Sequence, residues 1–325
     1  VGPAPELPVI LGTKVPKTNN ADLLSRGFEL DLSWRDQIGQ VQYGAHLLLS
    51  DDRQKIMKYP NETGTLNTWR AGEYIGEIWG FETIGIAKTD QEMNDHLATL
   101  PNGGQNEQGS KWAAGDIMYK DLDGDGVIHA GETITAPGDL KIIGNNTPRF
   151  KFGIDLDAAW KGFDLNMTWA GNAGMYYYIY ERGFNSMSSS SWQEGTIVAR
   201  NARNIFYYCD PMLAATDPNY DPAADPNANV NAMYPRIGNE NGAYRANTGN
   251  LYNASYIKLK TLQIGYTLPK SWVQKAYISN LRVFASFENL LTITDFPGVD
   301  PEIGGSGFTA YPIPRMISGG INLTF

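Results

Sequence analysis

One cysteine among 325 residues, Cys209, has no partner inside the chain, so no internal disulfide staples this fold. It stands beside Asp210 and Pro211 with no basic neighbour that would make it a nucleophile. Basic residues are short too: 26 Lys and Arg face 35 Asp and Glu, a formal net charge of −9. A nucleic-acid binder needs a basic face to neutralise phosphates, and this balance argues against one. No apolar run approaches the roughly 20 residues of a membrane-crossing helix, which excludes a helical membrane protein. The three histidines (His46, His96, His129) are scattered, and no G-x-S-x-G, H-E-x-x-H, P-loop or C-x-x-C pattern occurs. Nothing in the chain reads as an enzyme's catalytic constellation. A Met start and a signal peptide are also missing, and Val1–Ile10 reads like the middle of a loop, as in a processed or partial chain.

Aromatics, by contrast, are plentiful at 12%, with 18 Tyr and 8 Trp, and 35 Gly and 18 Pro supply turn chemistry throughout. That composition leans to β structure. Two-residue alternation bears this out in segment after segment. Phe28, Leu30, Leu32 and Trp34 alternate with Glu29, Asp31, Ser33 and Arg35, and Phe163, Leu165, Met167 and Trp169 with Asp164, Asn166, Thr168 and Ala170. Side chains of a strand point to opposite faces in turn, so each segment has one apolar and one polar face. The pattern predicts seven strands, near 26–36, 41–50, 149–160, 163–171, 255–268, 281–290 and 315–325. In the fifth, Ile257 and Leu259 differ in parity from Leu262, Ile264 and Tyr266. A bulge near Lys260–Thr261 reconciles them, because one extra residue flips the facing.

The connections alternate in length. Short turns fall at 36–40, at Lys161–Gly162 and, somewhat longer, at 269–280. Long stretches lie at 1–25, 51–147, 172–254 and 291–314. Short turns at one rim and long loops at the other describe an all-β, antiparallel transmembrane β-barrel, its turns periplasmic and its loops extracellular. Trp34, Tyr43, Trp160, Phe163, Tyr266 and the terminal Phe325 lie on the apolar faces at the short-turn end, where a membrane interface favours an aromatic girdle. The competing architecture is a soluble β-sandwich with aromatic strand ends, which as a secreted, calcium-braced module would bind carbohydrate or act as an adhesin. A polysaccharide-degrading enzyme would need two carboxylates about 5–9 Å apart in a cleft.

The sharpest local motif runs from Asp121 to Glu132 and fits D-x-[DN]-x-[DN]-G-x5-E at each constrained position. Asp121, Asp123 and Asp125 supply carboxylates, Gly126 permits the sharp turn, Val127 offers its carbonyl and Glu132 can bind bidentately, which is the donor set of a Ca2+ loop. Its flanks are not helix-like, so the expectation is an isolated loop in which structural Ca2+ braces a long extracellular connection. The loops are also rich in rings. Trp69, Tyr74, Tyr177, Tyr178 and Trp192 are candidates to stack on sugar faces or pack against peptides, although such rings equally form small clusters under long loops.

Several short motifs follow one another in a set order: Arg26-Gly27-Phe28-Glu29-Leu30, Gly76-Glu77-Ile78-Trp79-Gly80-Phe81, Tyr119-Lys120-Asp121, Ile142-Ile143-Gly144-Asn145, Lys161-Gly162-Phe163-Asp164-Leu165, Gly265-Tyr266-Thr267-Leu268-Pro269, Glu288-Asn289-Leu290, Asp300-Pro301-Glu302 and Gly320–Phe325. In this order the chain resembles the C-terminal part of SusC/RagA-type TonB-dependent outer-membrane transporters, over nearly its whole length. The resemblance implies a 22-stranded barrel, an N-terminal plug, a TonB box, a SusD-like surface lipoprotein that lids the pore, and energised import of glycans or peptides across the outer membrane of a Gram-negative bacterium. It assigns Phe325 to recognition by the barrel-assembly machinery. No plug or TonB box is present in this sequence, and seven strands cannot close such a barrel. The expected partners are therefore the remaining strands and plug of the same transporter, the lipoprotein, the TonB complex and outer-membrane lipid.

Overall fold

The computed structural model describes residues 19–178, 205–207, 216–219, 221, 225, 228–236, 245–298, 300–303, 311 and 313–325. Two long strands open it, β1 (Asp22–Ile38) and β2 (Val41–Lys58). The following connection carries β3 (Glu77–Phe81), β4 (Thr83–Ile86), helix α1 (Asp90–Ala98), β5 (Ile117–Tyr119), β6 (Ala130–Thr133), β7 (Ala136–Gly138) and β8 (Leu140–Asn145). Next come β9 (Phe150–Trp160), β10 (Phe163–Ala173), β11 (Tyr176–Tyr178), β12 (Leu251–Asn253) and β13 (Tyr256–Thr267). A short helix α2 (Lys270–Val273), β14 (Asn280–Thr294) and β15 (Met316–Thr324) complete the order.

Seven strands make one sheet in the order β1-β2-β9-β10-β13-β14-β15, each pair antiparallel. The other described sheets are two-stranded and belong to the connections. β1 and β2 run further than apolar alternation alone marks them. Their pairing continues through Phe28–Asp51 and Arg26–Arg53 to Leu23–Ile56, where charged residues replace the apolar set. At the opposite rim, Lys161 (φ +48°) and Gly162 (φ +90°) both adopt left-handed backbone, the requirement of a two-residue turn that matches the twist of its strands.

The register carries one apolar face across the whole sheet. Leu32 pairs with Leu47, Leu47 with Ile154, Ile154 with Trp169, and Trp169 with Leu259. Further on, Leu165 pairs with Ile264, Ile264 with Ala285, and Val283 with Ile321. The anticipated bulge lies on this path: Thr168 pairs with Thr261 but Trp169 with Leu259, which leaves Lys260 as the extra residue and restores the apolar parity.

No second layer of described residues covers that face. Leu32 is 53% exposed, Ile264 45% and Ile321 62%, and Trp34, Phe163, Val283 and Ile317 are exposed as well. A side chain of this size left in water rather than buried forfeits about 1.5–3 kcal/mol. A row of them on one face makes sense only against hydrocarbon. The sandwich alternative requires the same residues to interlock between two sheets, and they do not. The buried core lies instead among the connections: Phe81, Leu100, Ile117, Tyr119 and Ile128 form one cluster, Ala87, Met93 and Met118 a second, and Met175, Tyr234, Tyr252, Tyr256 and Phe296 belong to a third. Helix α1 contributes Met93 to the second. Its N-terminus is fixed by Thr89, whose hydroxyl accepts from the Glu92 N–H at 3.1 Å, while Glu92 accepts from the Lys88 N–H at 2.6 Å.

An Arg placed at Leu32 should cost about 2–4 kcal/mol of folding into lipid vesicles, the penalty of a cation on the lipid face. Asn166→Ser, on the opposite face of β10, should cost well under that. Urea titration of vesicle-inserted protein measures both, and equal costs would contradict the assignment of faces.

Candidate functional site

The polar face of the sheet is a network of ion pairs, some between neighbouring strands and some reaching over the strand between. Asp31 on β1 contacts His46 Nε2 on β2 at 2.8 Å, and His46 Nδ1 lies 3.5 Å from Asp155 on β9. Thr168 on β10 donates to the other Asp155 oxygen at 2.7 Å. Arg35 reaches Asp157 at 3.3 Å, and Arg282 on β14 forks onto Asp164 on β10 while donating to Gln263 at 3.0 Å. Two glycines make room for these pairs. A Cβ on Gly44 would stand 2.5 Å from Asp157 Oδ1, and one on Gly265 would collide with both Arg282 and Asp164. The wall is thus lined by Glu29, Asp31, Arg35, Asp155, Asp157, Asp164, Asn166, Arg282 and Glu288, with acids in excess.

At the long-loop rim, Lys258 is 1% exposed, and its ammonium donates to Asp300 at 2.8 Å and to Glu302 at 2.7 Å. Lys260, the bulge residue, also binds Glu302. The bulge therefore places two consecutive inner-face lysines where they tie the connection after β14 to the wall. Burial acts to raise the Glu302 pKa, but the two lysines outweigh it and hold the carboxyl below its ordinary range. A second tie anchors the first long connection: Arg70 bonds Glu73 at 3.2 Å and Glu77 at 3.3 Å, all three nearly buried, and stacks over Trp79.

The acidic loop folds as a chain of side-chain-to-backbone turns. Asp121 accepts from the Gly124 and Gly126 N–H groups, Asp123 from Asp125, and Asp125 from Val127. Gly126 (φ +82°) takes the left-handed turn its position demands. The segment after α1 clamps the loop, with Asn102 donating to the Asp125 and Gly126 carbonyls and Ile128 N–H donating to Gly104. Asp121 and Asp123 converge with Asp139, and Asp123 and Asp125 with His129, the contributing atoms of each trio within 4.8 Å of one another.

Asp139 is a group the motif does not contain. It is fully buried at the start of β8 and accepts from the Leu122 and His129 N–H groups at 2.6 and 2.8 Å. Burial, reinforced by Asp123 and Asp121, pushes its pKa up. Glu132, predicted as the bidentate ligand, does not join either trio: it lies on β6, and its backbone carbonyl accepts from Leu66. Pairing of β6 with β7 holds that residue in a strand, and Asp139 stands beside Asp121 and Asp123. Burial acts to lower the His129 pKa, but the nearby Val127 carbonyl and the Asp125, Asp123 and Asp139 carboxylates outweigh it and hold the imidazole above its ordinary value. The trio of Asp121, Asp123 and Asp139 is all oxygen, the donor chemistry that suits a hard dication, whereas the other trio includes the His129 ring.

The predicted loop aromatics do not form one site. Trp69 is exposed and meets Tyr59 edge-on, whereas Tyr74 lies under Arg53 and Lys55. Tyr177 packs edge-on against Phe296 in the third core cluster, and Tyr178 pairs with Leu251 across β11 and β12. Trp192 and Cys209 lie outside the described residues. A cavity of about 490 Å³ opens between the two long connections, lined by Ile86, Met118, Met233, Tyr234, Asn250 and Tyr252 among others, and none of the described predicted rings borders it. Composition had no way to mark it, since its walls come from segments far apart in sequence. At the short-turn rim, Trp160 stacks with Phe163 at 6.5 Å and Phe163 meets Tyr266 at 4.5 Å. Trp34 and Tyr43 continue the row on β1 and β2, and Phe325 is exposed at the end of the chain.

An outward apolar face, an inward polar one, and connections alternating between short turns and long loops define the chain as a wall segment of a transmembrane β-barrel. Comparison with known proteins agrees. No family model matches the sequence. Over 98% of its length it is 26% identical to TonB-dependent receptor P3 of Formosa agariphila, and over 94% it is 22% identical to TonB-dependent receptor P26 of the same organism. A 69-residue stretch is 32% identical to TonB-dependent receptor SusC of Bacteroides thetaiotaomicron. Its fold matches that of the RagAB peptide transporter with TM-score 0.63 at 24% identity, over 98% of this chain and 31% of that one. The chain is thus similar to TonB-dependent receptors over nearly its whole length, and it spans about 30% of the length of P3.

Lys258→Met should leave Asp300 and Glu302 without their buried cation and destabilise the connection by about 3–5 kcal/mol, the cost of breaking a buried pair. Because Glu302 has a depressed pKa when folded, the tie is fully in force above its ordinary value of 4.5 and is lost as the pH falls through the lower folded value. Hydrogen exchange of residues 295–303 should rise below pH 4 in the parent protein and at all pH values in the variant.

Proposed function

We propose that this chain is the C-terminal wall of a TonB-dependent importer in the outer membrane of a Gram-negative bacterium. The uncovered apolar face carries the reading. It needs lipid, and the two outer edges of the sheet, β1 and β15, need further strands, because hydrocarbon offers no partner to an open edge. The rest of the same transporter supplies those strands and the plug. A SusD-like lipoprotein lids the loop side, and the TonB complex pulls on the plug to release cargo. The cargo is oligosaccharide or peptide: the family resemblance admits both, and the fold shared with the RagAB peptide transporter speaks for the second. This is gated passage, not catalysis. The polar wall presents paired charges that can brace a plug or guide a solvated cargo without binding it tightly.

Exposed Trp69, half-buried Tyr74 and Tyr178, and Trp192 are the rings available for contact with cargo or lid, whereas Tyr177 packs against the third core cluster. In the acidic loop, Ca2+ would be held by Asp121, Asp123, Asp125 and Asp139, with the Val127 carbonyl. The ion would relieve the mutual repulsion of these carboxylates and fix the first long connection. Calorimetry on the complete transporter should show Ca2+ binding near the 10⁻⁴–10⁻³ M range of extracellular modules. Asp121→Ala and Asp139→Asn should each abolish the heat, whereas Glu132→Gln should retain most of it. Absence of heat in the parent protein would dispose of the site.

For transport, deletion of the gene should stop uptake of fluorescent oligosaccharides or peptides by its host, and the protein should fractionate with the outer membrane. Recovery as a soluble protein, or unchanged uptake of both cargo classes, would overturn the reading.

A further inference from the structure

Arg26 on β1 and Arg53 on β2 are direct cross-strand partners. Arg26 shares the parity of Phe28 and Leu30, and Arg53 that of Leu47 and Leu49, so both leave the sheet on its apolar side. They stand just beyond the apolar band, at the long-loop end. Lys55, paired with Leu24, occupies the next outward position. The Arg53 guanidinium and the Lys55 ammonium lie 5.6 and 5.4 Å from the ring centre of Tyr74, which holds both in place without neutralising either. The nearest outward carboxylate, Asp51, is already engaged by Arg149 at 3.2 Å. Among the described residues no ion pair involves Arg26, Arg53 or Lys55.

Like charges set directly opposite each other destabilise a ladder. Here two arginines do so in a chain whose net charge is −9, at one height on the lipid side. An anion from outside the chain would turn that repulsion into attraction. We propose that Arg26, Arg53 and Lys55 bind the phosphate of a phosphorylated lipid headgroup in the outer leaflet. The inference rests on the barrel reading, which puts the long-loop rim outside. The source is lipid and not free phosphate, because the exposed Phe28 and Leu30 continue directly from the cations and offer acyl chains a surface beneath their headgroup. Arginine forks suit phosphate oxygens, and at the edge of the hydrocarbon such charge-assisted bonds are poorly screened.

The test uses the complete transporter in zwitterionic detergent, with bisphosphorylated lipid A, dephosphorylated lipid A and inorganic phosphate as probes, read by native mass spectrometry. The bisphosphorylated form should bind at least about tenfold more tightly than the dephosphorylated one, the worth of one good charge-assisted contact. R26Q/R53Q/K55Q should erase the preference. R26E, which places a carboxylate opposite Arg53 and so keeps the strands paired, should erase it as well. Equal binding of the two lipid forms by the parent protein, a preference that survives in the triple variant, or saturation by inorganic phosphate at the lipid's own concentration overturns the proposal. Outer-membrane fractionation of all three proteins reports separately on the barrel: a protein found elsewhere sinks that reading whatever the lipids do.

Discussion

Backbone hydrogen bonding in hydrocarbon is the constraint on which this structure depends. Lipid offers no donor or acceptor, so each N–H and C=O at membrane depth must find its partner on a neighbouring strand. A single unbroken ladder of seven antiparallel strands meets that demand, and the side-chain period of two then sorts every residue to one of two solvents. A slip of one residue between any two strands would put acids in lipid and leucines in the lumen. The bulge at Lys260 shows the constraint at work: where the sequence changes parity, the backbone absorbs one extra residue and the apolar row continues from Leu259 to Leu262.

The two faces solve different problems. Outside, shape matters little, because acyl chains conform to whatever the strands present. Inside, charges stand close together and pair across strands: Asp31 with His46 on the next strand, and Arg35 with Asp157 and Asp164 with Arg282 over the strand between them. Gly44 and Gly265 belong to this arrangement as much as the charges do, since a methyl group at either would push the pair apart. Such a wall presents paired charges rather than lone ones, as suits passage better than retention.

The connections at the long-loop rim form the globular part of the chain. They hold the buried clusters, helix α1 and two buried charge groups, Arg70 with its glutamates and Lys258 with Asp300 and Glu302. The acidic loop sits on this platform, clamped by Asn102 and Gly104. Lids and ligands need a rim that keeps its shape above a fluid bilayer, and these ties provide it through burial that the wall itself lacks.

Much of this was legible in the residues alone. Alternation located the wall strands and their faces, the parity change located the bulge, and the D-x-D-x-D-G spacing located the acidic loop, because each of these signals is local and set by backbone periodicity or turn geometry. Strand length was less legible: β1 and β2 continue above the membrane, where the outer face turns from leucine to arginine and the apolar signal stops although the hydrogen bonding does not. What tertiary structure decided was every relation between segments distant in the chain. Asp139 stands beside Asp121 because β6 and β7 fold the chain back between them, and Tyr177 packs against a core cluster because Phe296 lies next to it. Arg26 meets Arg53 only through the register of β1 on β2. Periodicity tells a residue which face it takes, whereas its neighbour across the ladder is fixed by pairing, and pairing is a property of the folded sheet.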